Sequence, residues 1–172
     1  MSFKKNAGFT LIEVLVVLSI MGIMLGMLVV NYGKDERQNL QLEGHRLALL
    51  MSHASQTART TGQPIAWQAN VQGYQFLQYA PLTKLWEVIK ANNSSSDTTL
   101  RERKWPENLQ LSEVNIAGSI STIKKRPYDM IIFSPSGINP AFNLMLQSPH
   151  AKLEVKGDML GLVTDLPAID SQ

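Results

Sequence analysis

The sequence predicts an α+β protein, one long N-terminal helix followed by a β-rich domain, and three observations lead there. Phe9 to Val30 is an almost unbroken apolar run. Leu40, Gly44, Leu47, Met51, Ala54 and Ala58 then recur at spacings of 4, 3, 4, 3 and 4, which puts all six within about 40° of one line on an α-helix. After Pro64 that period vanishes, and short runs of alternating apolar and polar residues replace it. Of the 172 residues, roughly the first 30 form a segment apart, which leaves about 140 for one domain of ordinary size.

The apolar run holds 22 residues, and Glu13 is its single charge. A helix of that length rises about 33 Å, enough for a hydrocarbon core of ~30 Å. Lys4 and Lys5 precede it, so the positive-inside rule places Met1 to Gly8 in the cytoplasm and the chain beyond Val30 across the membrane. A secretory signal peptide would need a shorter apolar stretch and a small-x-small cleavage site. Here Val29, Val30, Asn31 and Tyr32 lead straight into charged sequence. A plain signal anchor fits the run but not Glu13, because an acid in lipid costs a few kcal/mol and needs a partner. A cut between Gly8 and Phe9 would create one, an α-amino group with a reference pKa near 8. Set against Glu13 of a neighbouring subunit, that amine would fix the axial register between chains.

Asn31, Tyr32 and Gly33 interrupt the run, and Gly22 and Gly26 lie inside it. Each glycine weakens a helix by about 1 kcal/mol relative to alanine, so a bend or partial melting is expected there. The stripe from Leu40 to Ala58 is the expected core face. Gly62 supplies a C-terminal cap and Pro64 prevents continuation, so one helix of roughly 50 residues runs from Phe9 to about Thr61. On its other side Leu42 and Leu49, with His45 and His53 nearby, read either as a subunit contact or as incidental exposed leucine. The two histidines lack the i, i+4 spacing of a helical metal pair and no carboxylate motif accompanies them.

Strands are expected at Pro64 to Ala69 and Tyr74 to Tyr79, forming a hairpin around Gln72 and Gly73, then at Lys84 to Lys90, Leu109 to Asn115, Asp129 to Phe133, Phe142 to Gln147, Lys152 to Lys156 and Leu160 to Thr164. These eight short strands should form a sheet wrapped on the helix stripe. Asn92 to Thr99 is polar throughout and reads as a mobile loop. Ile131 to Leu146 reads as a strand, a wide turn holding Pro135, Gly137 and Pro140, and a return strand.

Other chemistry is missing from the sequence. There is no cysteine, which excludes disulfides, thiolate zinc sites, a catalytic thiol and a cysteine lipid anchor. Net charge is +2, and residues 31–172 contribute only +1 of it, carrying 14 basic against 13 acidic side chains. Lys124, Lys125 and Arg126, with Arg101, Arg103 and Lys104, are two small basic clusters on a neutral body without aromatic interleaving, which argues against nucleic acid as a partner. Ser134 and Ser136 flank Pro135 outside any G-x-S-x-G frame. No phosphate-cradling loop is present, so energy for assembly must come from another protein. Asp158, Asp165 and Asp170 show no calcium-loop spacing. No enzyme activity, cofactor or metal is expected.

Two stretches resemble a known family. Gly8, Phe9, Thr10, Leu11, Ile12 and Glu13, behind a short basic leader, resemble the class III signal of type IV pilins and pseudopilins. Phe133, Pro135 and Gly137 resemble the F-x-P-x-G signature in the H group of type II secretion pseudopilins, which shares its domain with certain minor type IV pilins. The resemblance implies a pilin-like fold, a prepilin peptidase that cuts after Gly8, methylation of the new N-terminal Phe9, and Glu13 as the assembly glutamate. It implies a leader at 1–8, a transmembrane and assembly helix at 9–30 in contact with lipid, an amphipathic periplasmic helix at 31–62 and a β-rich periplasmic domain at 63–172. The implied role is a minor pseudopilin of the periplasmic pseudopilus, by resemblance in its tip complex, assisting export of folded proteins across the outer membrane. The implied partners are other minor and major pseudopilins and an inner-membrane assembly platform. A minor type IV pilin serving pili or DNA uptake is the alternative, against which stands the lack of the C-terminal disulfide that many such pilins carry.

Overall fold

The computed structural model describes residues 10–89, 98–117, 119–122 and 130–170, with 27–35, 98 and 119–122 described by backbone alone. The chain divides into two compact units, Met1–Asp35 and Glu36–Gln172. Helix α1 spans Leu11–Thr61. Its stop follows the sequence signal: the Gly62 N–H donates to the Ala58 carbonyl at 3.1 Å, and Gly62 takes a φ of 70°, a left-handed cap conformation that costs a residue with a Cβ.

Eleven strands follow among the described residues: β1 (Ile65–Ala69), β2 (Gly73–Ala80), β3 (Leu85–Val88), β4 (Arg103–Lys104), β5 (Gln110–Ile116), β6 (Ser119–Thr122), β7 (Ile131–Phe133), β8 (Phe142–Gln147), β9 (Ala151–Gly157), β10 (Val163–Asp165) and β11 (Ile169–Asp170). They form two antiparallel sheets rather than one. The first has the order β3-β2-β1-β7, with β4 also on β2; the second runs β10-β9-β8-β5-β6, with β11 also on β9. Thr98 and Thr99, expected within a mobile loop, form a 3-10 turn with Leu100.

The stretch from Ile131 to Leu146 is not the strand and return strand that its sequence suggested. Strand β7 pairs with β1, setting Phe133 against Ile65, whereas β8 pairs with β5 and β9. Residues 134–141 therefore carry the chain from one sheet to the other. The last expected strand also begins later, at Val163 instead of Leu160. Asp158 is the reason: its Oδ1 accepts the N–H groups of Leu160 and Leu162 at 2.9 and 2.8 Å, folding those residues into a turn of the kind short acidic side chains favour.

In the second unit the face of α1 holding Leu40, Leu47, Met51, Ala54 and Ala58 is buried, together with Trp67, Phe76, Ile131 and Phe133 of the first sheet and Leu111, Val114, Leu144, Leu146, Leu153 and Val155 of the second. Gly44 lets the helix approach β9, since a Cβ there would run into the Leu153 side chain. Asn70 closes the β1–β2 hairpin, its Oδ1 accepting the N–H groups of Gln72 and Gly73 at 2.8 and 2.9 Å.

One polar cluster sits within this apolar packing. Glu43 of α1 is buried, pairs with Arg46 at 3.2 Å and accepts the Tyr74 hydroxyl at 3.4 Å. Burial first, and the Glu43 carboxylate second, push the Tyr74 phenol up to about 12. A raised acid pKa stabilises the fold below the unfolded value near 10, and that contribution is lost as pH climbs from about 10 toward 12. In an ultraviolet pH titration of the four tyrosines, one is expected to ionise only near pH 12 or with alkaline unfolding. All four titrating together near 10 would contradict the burial of Tyr74 against Glu43.

Candidate processing and assembly site

The processing and assembly residues expected from the sequence lie at the N-terminus. Gly8 and Phe9, with Lys4 and Lys5, lie outside the described residues. Glu13 stands in the first turn of α1, where its N–H donates to the Thr10 carbonyl at 3.1 Å. An acid at that position is favoured by the helix dipole. Around it Leu11, Ile12, Leu15, Leu18, Ile20, Met21, Ile23, Met24 and Leu25 are all exposed. Glu13 is thus one acidic point on an otherwise apolar, exposed helical surface. Among the described residues no helical stretch is long and apolar enough to cross a membrane, the described side chains of the run ending at Gly26.

The six stripe residues, Leu40, Gly44, Leu47, Met51, Ala54 and Ala58, are all buried in the second unit. On the outer side of the helix Leu42 is 68% and Leu49 58% exposed. His45 Nδ1 lies 3.1 Å from Asp165 Oδ1 and His150 Nδ1 lies 2.9 Å from Glu36 Oε2, so both imidazoles tie α1 to the second sheet. Among the described residues no group of three or more His, Cys, Asp or Glu is placed to hold a metal. Of the basic clusters, Lys124 to Arg126 lie outside the described residues. Arg103 donates to the Thr99 carbonyl at 3.2 Å.

Phe133 is fully buried and meets Phe142 edge to face, with ring centroids 6.3 Å apart. That contact closes the two sheets on each other at the crossover. Pro135 is half-buried, and Gly137 is buried at a φ of 80°. Any Cβ at Gly137 would approach the Arg59 guanidinium to 2.8 Å. Arg59 is the residue sequence reasoning missed here. Near the end of α1, its Nη2 donates to the Gly137 carbonyl at 3.2 Å and also to the Leu160 carbonyl. The available signal was only a basic residue in the last helical turn, where cations suit the exposed carbonyls.

Comparison with known proteins bears on both parts of the chain. The family described as prokaryotic N-terminal methylation motif matches residues 3–29. The family described as type II transport protein GspH matches residues 43–161, about two thirds of the chain. Two solved structures of the minor pseudopilin EpsH from the type 2 secretion system of Vibrio cholerae share the fold. One superposes with a TM-score of 0.56 at 17% identity, covering 75% of this chain and 97% of that one. The other gives a TM-score of 0.59 at 15% identity, covering 76% and 98%. No curated protein matches the chain.

Proposed function

The chain belongs to the type II transport protein GspH family and is a minor pseudopilin of type II secretion; from that premise we propose how it is anchored, processed and assembled. Residues 9–30 enter the inner membrane as a single pass, with Lys4 and Lys5 holding the N-terminus in the cytoplasm and the β-rich domain in the periplasm. Prepilin peptidase cuts between Gly8 and Phe9 and methylates Phe9. The freed amine meets Glu13 of an adjacent subunit, so that the charge each chain carries into lipid is neutralised only in the assembly. Other minor and major pseudopilins are the lateral partners, and the inner-membrane assembly platform supplies the energy that this chain has no motif to harvest.

The observation that carries this reading is the succession of two family matches on one chain, the methylation motif over residues 3–29 and the GspH domain over 43–161. A methylated apolar helix joined to that domain suits a non-enzymatic filament subunit near the tip, where it assists the export of folded proteins across the outer membrane. Deleting the gene is expected to abolish release of exported proteins while natural transformation proceeds unchanged. Normal release with lost transformation would overturn the secretion role and make the chain a minor type IV pilin.

A further inference from the structure

Two turns meet where α1 ends, and both are held by hydrogen bonds to their backbones. In one, the Gly137 N–H donates to the Ser134 carbonyl at 3.0 Å, and Asn139 Oδ1 accepts the Ser134 N–H at 2.7 Å. In the other, the Gly161 N–H donates to the Asp158 carbonyl at 3.2 Å, with Gly161 at a φ of 84°. The turns are joined directly by the Asn139 N–H, which donates to the Met159 carbonyl at 2.9 Å. Arg59 joins them again through the carbonyls of Gly137 and Leu160. With the backbone so engaged, four large apolar side chains are left facing solvent: Ile138 and Leu160 at 71% exposure, Met159 and Leu162 at 63%.

We propose that this cluster is a docking surface for the globular domain of a neighbouring pilin-type subunit. The inference rests on the pseudopilin reading above and goes beyond it in naming the surface. Its size selects the occupant. Four such side chains offer on the order of 500 Å², as large as the biggest patch on a typical monomer. An independent stable complex needs about 800 Å² from each partner, so neither a free homodimer nor a freely diffusing exported protein would be held here. A subunit already tethered to the same filament through its membrane helix needs much less, because the tether makes the second contact intramolecular. The fixed turns reduce the ordering cost of that contact.

The chain has no native cysteine, so one introduced thiol is a unique label. Leu160→Cys and, on the outer face of β8, Asn143→Cys would each be coupled to benzophenone-maleimide in membranes containing the full-length chain, then illuminated. The expected result is an adduct from position 160 with another N-methylated pilin-type subunit, in about tenfold excess over position 143. Leu160→Glu, at a site exposed enough to leave the fold intact, is expected to cut co-purification of that subunit by a similar factor, about tenfold. An adduct with a second copy of this chain, with a protein lacking the pilin-type N-terminus, or with nothing beyond the control level would each overturn the proposal. Failure of the pseudopilin reading itself would show separately, as an unprocessed N-terminus on the same sample.

Discussion

Replacing Phe133 with alanine is expected to destabilise the globular unit by about 3–5 kcal/mol, the range for truncating a fully buried aromatic side chain. Phe133 has no exposed surface, lies opposite Ile65 in the first sheet and meets Phe142 of the second edge to face. Its removal leaves a cavity at the point where the chain passes between sheets, and neither sheet can close it without giving up register. Chemical unfolding of the full-length protein in detergent measures the effect. A loss below about 1 kcal/mol, typical of a surface position, would contradict the place of Phe133 in the core between the sheets. Pro135, half-buried in the following turn, is expected to tolerate alanine far better, so the two signature residues should separate cleanly.

Glu13→Ala is expected to have the largest effect on assembly and almost none on folding. Glu13 belongs to the first unit and is not among the core residues of the second, so the unfolding transition of the globular unit should be unchanged. An unpaired amine left in lipid on the adjacent chain is penalised by a few kcal/mol, and each 1.4 kcal/mol is about tenfold in an association constant. Co-purification of other pseudopilins should therefore fall at least about tenfold. Undiminished co-purification would refute the register role, and Glu13→Gln should recover little, because it restores shape without charge.

Much of the architecture was legible because it follows local rules. The 4-3-4-3-4 spacing from Leu40 to Ala58 and the Gly62 cap depend on the geometry of one helix, and the alternation in β1, β2, β8 and β9 depends on one strand at a time. Pairing does not. Nothing local to Ile131–Phe133 says that its partner is β1, or that Phe142 will face Ile116 and Gly157, so two sheets joined by a crossover looked like one strand and its return. The strands β4 and β11 are two residues long, too short for alternation to register.

The candidate site residues and the polar contacts around them divide in the same way. Gly8, Phe9 and Glu13 could be proposed from sequence alone, because a peptidase and a membrane would read them as linear sequence. Arg59 was not, because its meaning lies in two carbonyls, those of Gly137 and Leu160, that are 78 and 101 residues away. Glu43 was equally hidden. A glutamate next to a core stripe reads as surface until the structure buries it against Tyr74 and Arg46.

The central claim is that the apolar N-terminus is an assembly element released by a specific cut, and the mass of the mature N-terminus tests it most directly. Intact-mass and N-terminal peptide analysis of the protein extracted from membranes is predicted to show loss of Met1 to Gly8 and one methyl group on Phe9. A chain that retains its leader, or begins at Phe9 without the methyl group, would contradict the account.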